Sequence, residues 1–463
     1  MQIHIAEMLK YGMTKSEAVE ILKNRGLSRE FVEAISVYKE EPEWMLETRL
    51  KAYDHYVTRD VPRWGADLSG LSEDTITFYV TPEAKKGRTW EEVPQEIRKT
   101  YEDLKIPEAE RKFLAGVETQ FDSNVVYGRV KEVWESQGVI FTDTDTGLKK
   151  YPEIFKKWFG KAIPLTDNKY AALNTACWSG GSFVYVPKNV KVTIPLQAYF
   201  YIQTKNLGQF ERTLIIADEG SEVLYVEGCS APNYSTDVLH SGVIELIALK
   251  GSRIRYTTIQ NWSKNVYNLV TQRGLAYENA KIEWVDCNLG SRVTMKYPSV
   301  VMVGDNSKGE ILSIALADGI QHLDSGAKLI HIGKNTSGVI TTKSICKNGG
   351  RTSYSGLVKV TKGATNAKIK VVCDALILDN DSQTDTYPYN EIYEKLAHIE
   401  HEASVSRVSE SQLYYLMSRG ISEEEAGGLI VSGFVEPISK ELPMEYAMEM
   451  NDLIKMSMKN SVG

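Results

Sequence analysis

Apolar and polar positions follow one rhythm at the two ends of this chain and another in its middle. Near the start the spacing is helical: Thr14 and Glu17 form a capping-box pair, with Ala18, Ile21 and Leu22 as an apolar face behind them. Pro42, Pro62 and the Trp64-Gly65 turn break that pattern. Between Asp74 and Ile163 the signal is mixed. Thr75–Val80 reads as a strand, Glu91–Leu104 and Glu108–Leu114 as helices, and Tyr151–Phe159 as a helix closed by Gly160.

From about Cys177 helical periodicity almost vanishes, and short β-branched runs alternate with turn residues for some two hundred residues. Glycine- or asparagine-bearing turns precede Val223, Ile254, Ile282, Ile311, Ile340 and Ile369, at intervals of 31, 28, 29, 29 and 29 residues. A fixed period in the range of ~20–50 residues is the signature of a solenoid. Val, Ile, Thr and Tyr in the runs, with Gly, Asn, Asp and Ser in the turns, make it a β-solenoid. A sandwich of evenly spaced hairpins is the competing architecture. Asn348-Gly349 and Asp318-Gly319 are the only two-residue hairpin signals, which favours stacked coils.

Beyond Asp379 helical spacing returns. Ser409 with Gln412 and Ser422 with Glu425 have capping-box spacing, and the helices they open are expected to stop at Gly420 and near Gly433. Pro437 and Pro443 then set off a last amphipathic helix with Tyr446, Met450, Leu453 and Ile454 on its apolar side. This tail is too short for a core of its own and should dock on the solenoid or on another subunit. The expected organisation is a mainly β protein. An N-terminal helical and mixed region covers 1–165, a central parallel β-helix 166–395, and a C-terminal helical region 396–463.

Composition narrows the function. The 54 basic and 61 acidic residues leave a net charge of −7, which disfavours a nucleic-acid or anionic-membrane surface. No apolar run approaches the about 20 residues of a membrane span, and Met1–Lys10 lacks the pattern of a signal peptide. Five cysteines (Cys177, Cys229, Cys287, Cys346 and Cys373) without CxxC spacing read as free thiols of a reducing cytoplasm. P-loop, GxSxG and HExxH motifs are all missing, so common nucleotide-driven or hydrolytic catalysis has no support.

What remains is a scatter of soft and borderline ligands. Cys373 lies in a strand-like run at the last rung, with His398, Glu400, His401 and Glu402 just downstream. Thiolate, imidazole and carboxylate together can hold iron or zinc, and an iron–sulfur cluster wants thiolate in particular. A lone Cys in an apolar strand is more often a small buried hydrophobe, and a Glu-His-Glu triplet more often a solvated or ion-paired surface, so spacing alone does not define a metal site. Rung phase adds an expectation. Cys229, Cys346 and Cys373 fall at even offsets from their anchors and Cys287 at an odd one, which puts the first three on one face of the coil. Cys229 and Cys373 are then five rungs, about 24 Å, apart at ~4.8 Å per rung.

Six segments in order carry a family resemblance: Glu227-Gly228-Cys229-Ser230-Ala231-Pro232, Gly350–Val358, Cys373–Leu378, Asp385–Tyr389, Glu400-His401-Glu402-Ala403 and Arg419–Ala426. Over nearly the whole chain the sequence resembles the SufB/SufD family, and within it the SufB branch, the scaffold subunit of the SUF iron–sulfur assembly machinery. That resemblance implies a non-catalytic, cytoplasmic scaffold on which a nascent iron–sulfur cluster is built. It implies sulfur accepted at Cys229 from a cysteine desulfurase system, travel inside the β-helix, and assembly near Cys373 with help from Glu400, His401 and Glu402. The C-terminal helices would bind a SufC-type ABC ATPase, which accounts for the missing P-loop. The second β-helix subunit would be another copy of the chain or a SufD-type sister, and reduced flavin is a candidate cofactor. The competing reading within the family is the SufD-like role, a structural partner without a cluster, against which Cys373 and the Glu-His-Glu segment argue. A β-helix polysaccharide lyase, from a different class, would want a secretion signal and an acidic stripe that the sequence lacks. One departure from the family pattern is that no cysteine precedes Cys177.

Overall fold

The computed structural model describes residues 12–79, 116–121, 124–130, 132–201, 208–230 and 237–440, and positions 447, 450–452, 454–455 and 458 of a final helix. Its centre is a parallel β-solenoid of about seven turns. One sheet stacks Lys191–Tyr201, Glu222–Ser230, Arg253–Trp262, Lys281–Gly290, Lys308–Asp318, Ser337–Lys347, Lys368–Ile377 and His398–Arg407 in parallel. The facing sheet runs from Ser182–Val186 through Arg212–Ala217, Val243–Ala248 and Val266–Ala276 to His322–His331, Arg351–Val360 and Gln383–Ile392. Inward side chains of both sheets form one continuous core that includes Val223, Tyr256, Trp284, Ile340 and Val371.

The repeat seen in the sequence has a backbone cause. Gly220, Gly251, Asn279, Asn306, Asn335 and Asn366 all turn the corner at positive φ, a conformation that Gly and Asn tolerate and β-branched residues resist. From Gly220 to Asn335, each donates its N–H to a carbonyl in the corresponding corner of the next coil, beginning with Gly220 to Lys250 and ending with Asn335 to Thr365. The corners therefore stack as a hydrogen-bonded ladder, and each coil must supply one such residue.

The pairing register corrects the repeat in one respect. Val223, Ile254 and Ile282 stand level, but Ile282 pairs with Gly309, and Gly309 with Gly338, which pairs with Ile369. Ile311 and Ile340 thus sit one inward position beyond the true repeat point. A slip of two residues keeps a side chain on the same face, so the face assignments survive it.

Helices clad the outer faces of the sheets. Lys15–Leu22 opens on the expected Thr14–Glu17 capping box, and Pro152–Trp158 forms where a helix was expected. Helices Arg29–Lys39 and Glu43–Thr58 pack on Lys169–Cys177 and are tied there by buried charge. Arg49 bridges Glu41 at 2.6 Å and donates to the carbonyls of Ala176 and Trp178, while Arg212 meets Glu245 at 2.7 Å. The Thr75–Val80 strand reduces to a short 3-10 turn, Glu73–Thr75, followed by a single bridge residue at Thr77; Val80 and the expected helices at 91–104 and 108–114 lie outside the described residues.

At the other end the coil continues through His398–Arg407, beyond the expected boundary at 395, and the tail helices begin at Glu410. Ser409 does not cap its helix, because its hydroxyl pairs with Ser411; Ser422 and Glu425 do form their capping box. The second tail helix runs past Gly433 to Ser439 with Pro437 inside it. Pro437 falls in the last turn, where only one backbone bond is lost, and Val435 and Ile438 on either side are held by packing. Val431, Val435, Ile438, Met450, Ile454 and Met458 press onto the outer face of the first sheet, against Val285, Cys287, Ile314 and Ile345. The tail therefore docks on the solenoid. Tyr446 and Leu453 lie outside the described residues.

Candidate functional site

Strand alternation sends every second residue of the first sheet into the lumen, and the register aligns those residues in columns. One column reads Glu227, Thr258, Asp286, Ser313, Thr342 and Cys373. The adjacent inward column reads Cys229, Gln260, Asn288, Ala315, Ser344 and Ala375. A polar seam thus crosses an otherwise apolar core from the level of Cys229 to that of Cys373. Thr258 Oγ1 and Asn288 Oδ1, both buried, find no hydrogen-bond partner among the described residues, so the seam carries unused polar capacity. Midway, Lys296 and Asp286 form a fully buried ion pair at 3.1 Å. Burial pushes the Asp286 carboxyl up, against the pull of Lys296.

Cys229 is buried among polar and charged side chains. Its thiol donates to Glu227 Oε1 at 3.5 Å, and Glu227 Oε2 accepts from the Tyr256 hydroxyl. His240 bonds Glu211 through Nε2 at 2.6 Å and Asn268 through Nδ1 at 2.7 Å, and its ring lies 4.6 Å from that of Trp262. Asn268 in turn donates to Gln260, the register neighbour of Cys229. Burial, reinforced by Glu211, raises the Glu227 carboxyl to about 7. Burial and the Glu227 and Glu211 charges push the Cys229 thiol well above its ordinary value. Burial opposes a charged His240, but Glu211 outweighs it and the imidazole is raised.

Cys373 faces inward on the same seam, on the last strand but one of its sheet. Burial raises its thiol, offset by hydrogen bonds from Thr342 and Tyr354. The next strand places His401 level with Val371, on the inward side, with Nε2 4.0 Å from the Cys373 sulfur. Burial lowers the His401 imidazole and so favours the neutral form that binds metal. Glu400 and Glu402 pair with the outward residues Lys370 and Val372 and are exposed.

Of the residues singled out in the sequence, the fold brings Cys373 and His401 together and turns Glu400 and Glu402 to the opposite face. No group of three His, Cys, Asp or Glu side chains among the described residues forms a metal site. Cys229 and Cys373 belong to one inward cluster, and Cys346 bonds the inward Thr352 at a corner. Cys287 faces out beneath the tail helices. Cys177 is a helix residue donating to the Leu173 carbonyl. The sequence reading missed Glu227, Tyr256, Glu211, His240, Asp286 and Lys296. A signal for the first sheet was present: Glu227, Thr258 and Asp286 each stand four residues past an apolar anchor, on the face that should be apolar.

Inside the parallel solenoid a seam of inward polar side chains thus runs between the levels of two buried thiols. A family model described as the SUF system FeS cluster assembly, SufBD core domain, matches residues 200–434. A second, the SufBD protein N-terminal region, matches 92–198. The chain belongs to the SufB/SufD family of iron–sulfur cluster assembly proteins. It is 56% identical over 454 residues, 98% of each chain, to the iron–sulfur cluster assembly protein SufB of Bacillus subtilis. Identity is likewise 56% over 98% of each chain to the iron–sulfur cluster assembly SufBD family proteins of Staphylococcus aureus and Staphylococcus haemolyticus. No helix among the described residues is long and apolar enough to cross a membrane.

Proposed function

We propose that this chain is a scaffold that accepts sulfur at Cys229 and assembles a nascent iron–sulfur cluster at Cys373 and His401. The observation that carries the reading is the seam of inward polar residues between the two thiols. Thiol exchange cannot cross five strands directly, at about 4.8 Å each, so a shared lumen is what makes a separated acceptor and building site workable. At Cys373, iron would favour deprotonation of a raised thiol, and a neutral imidazole completes a soft donor pair. Two protein donors hold a cluster loosely, which suits a cargo that must leave.

Remaining ligands would come from a second β-helix subunit. Gln383–Ile392 and His398–Arg407 end their sheets, each with one edge unpaired among the described strands, and Tyr387, Tyr389 and Val405 are exposed there. Such edges invite strand addition. Glu400 and Glu402 flank that junction and would contribute once it forms. The partner is a second copy of this chain or a SufD-type sister. The SufC-type ATPase would take the tail helices, where Tyr414, Tyr415, Met417 and Leu429 stand exposed. ATP binding there would shift helices that rest on the outer face of the strands carrying Cys373, and so open the junction.

Anaerobic co-purification of the chain with such an ATPase, with iron and sulfide determined, tests this. Wild type should hold both and Cys373→Ala neither; undiminished, stable cluster on Cys373→Ala would remove that residue from the site.

A further inference from the structure

Cys229 is poorly placed to become a nucleophile by itself. A buried thiol keeps its proton, and two nearby carboxylates make the thiolate less favourable still. Sulfur transfer requires a thiolate at the moment of attack, so the proton needs an acceptor in contact with the sulfur. Glu227 is in contact with it.

We infer that Glu227 is the residue that takes the proton from Cys229 during sulfur acceptance, an inference that rests on reading Cys229 as the acceptor. The two side chains share one inward face two residues apart, and Oε1 accepts from the thiol. Tyr256, from the neighbouring strand, holds Oε2 and fixes the carboxylate plane. The other charged groups that face Glu227 are Glu211, Lys296 from the facing sheet, and His240. His240 is not the acceptor, because Glu211 and Asn268 occupy both of its ring nitrogens. Its place is to steady Glu211 and, through Asn268 and Gln260, the wall beside the thiol. A carboxylate raised to about 7 matches a proton exchanged at neutral pH.

The step balances without a further reagent. The Cys229 proton moves to Glu227, and the thiolate attacks the outer sulfur of a donor persulfide, R–S–SH. A Cys229–sulfur bond forms as the donor's sulfur–sulfur bond breaks with its electron pair, leaving Cys229–S–SH and R–S⁻. Glu227 then returns the proton to the departing thiolate and is ready again.

The full chain, reduced and free of iron, is offered glutathione persulfide across a pH series, and sulfur on the Cys229 peptide is followed by mass spectrometry. Wild-type loading should rise with pH through an inflection near 7, where Glu227 becomes able to accept. Glu227→Gln should slow loading about 100-fold and erase that inflection, and Glu227→Asp should restore the inflection with part of the rate. Tyr256→Phe should move the inflection to higher pH, because it removes a hydrogen bond that favours the ionised carboxylate; this arm and the Asp variant carry the test if the Gln variant does not fold. Wild-type rate and profile in Glu227→Gln would overturn the inference. Failure of the acceptor reading looks different: Cys229 stays unlabelled and Cys229→Ser takes up sulfur undiminished elsewhere. Iodoacetamide alkylation of Cys229 then tests proton acceptance alone, and an inflection unchanged between wild type and Glu227→Gln would end it.

Discussion

The two cysteine sites are opposites built from one strand pattern. Around Cys229 the described neighbours are buried and polar, and its carboxylates are held by Tyr256 and His240. Around Cys373 there are one imidazole, two hydroxyls and the open last rung of the coil. Burial and the neighbouring carboxylates set the protonation of the Cys229 thiol. An open end leaves coordination positions free for a partner and for release. Under the proposed function, sulfur handling and cluster building would ask different things of the same thiol side chain, and the solenoid would meet them by position along one polar seam.

Substitutions should separate the two sites. The largest effect is expected from Cys373→Ala, with iron and sulfide retention falling at least about tenfold while Cys229 still loads; Cys287→Ala, outside the lumen, should alter neither. Lys296→Met leaves Asp286 buried without its partner and should cost about 3–5 kcal/mol in urea unfolding. Its counterpart at the open end, Lys370→Met, removes an exposed partner of Glu400 and should leave the midpoint in place.

The third effect is in pH. Glu227 is raised in the folded chain from the ordinary 4.5 to about 7, so its contribution is complete below about 4.5 and is lost as pH rises through 7. Wild-type stability measured against Glu227→Gln should fall between those limits, by on the order of 3 kcal/mol. A constant difference would contradict the buried, raised carboxyl. The smallest effect belongs to the cluster end. In the isolated chain His401→Ala should lower iron retention a few-fold, and Glu402→Ala should do so only after the second subunit is added, as iron titrations with and without that subunit would show.

Much of the fold was legible because a solenoid repeats its demands. Each coil needs one positive-φ corner and one β-branched run, so Gly220 to Asn366 announce themselves. The true pairing was not legible, since Ile311 and Gly309 both face inward and only backbone hydrogen bonds choose between them. The shared face of Cys229 and Cys373 followed from parity alone. The partners of Cys229 did not, because Glu211, His240 and Lys296 come from the opposite side of the coil, which parity along one strand does not reach. The same parity could have separated His401 from Glu400 and Glu402, had His398–Arg407 been read as one more strand. Ser409 shows the limit of local signals: its capping spacing is present, yet its hydroxyl prefers Ser411.

If sulfur received at Cys229 is to reach Cys373 along the polar seam, blocking the seam must stop delivery. Ser313 lies on the seam between Asp286 and Thr342, so Ser313→Leu should plug it. Isotopically labelled persulfide is loaded on Cys229, iron is added anaerobically, and label is counted in the sulfide of the cluster at Cys373. The plugged protein should load Cys229 normally and deliver no label. Labelled sulfide at Cys373 in the plugged protein, at the wild-type rate, would contradict it.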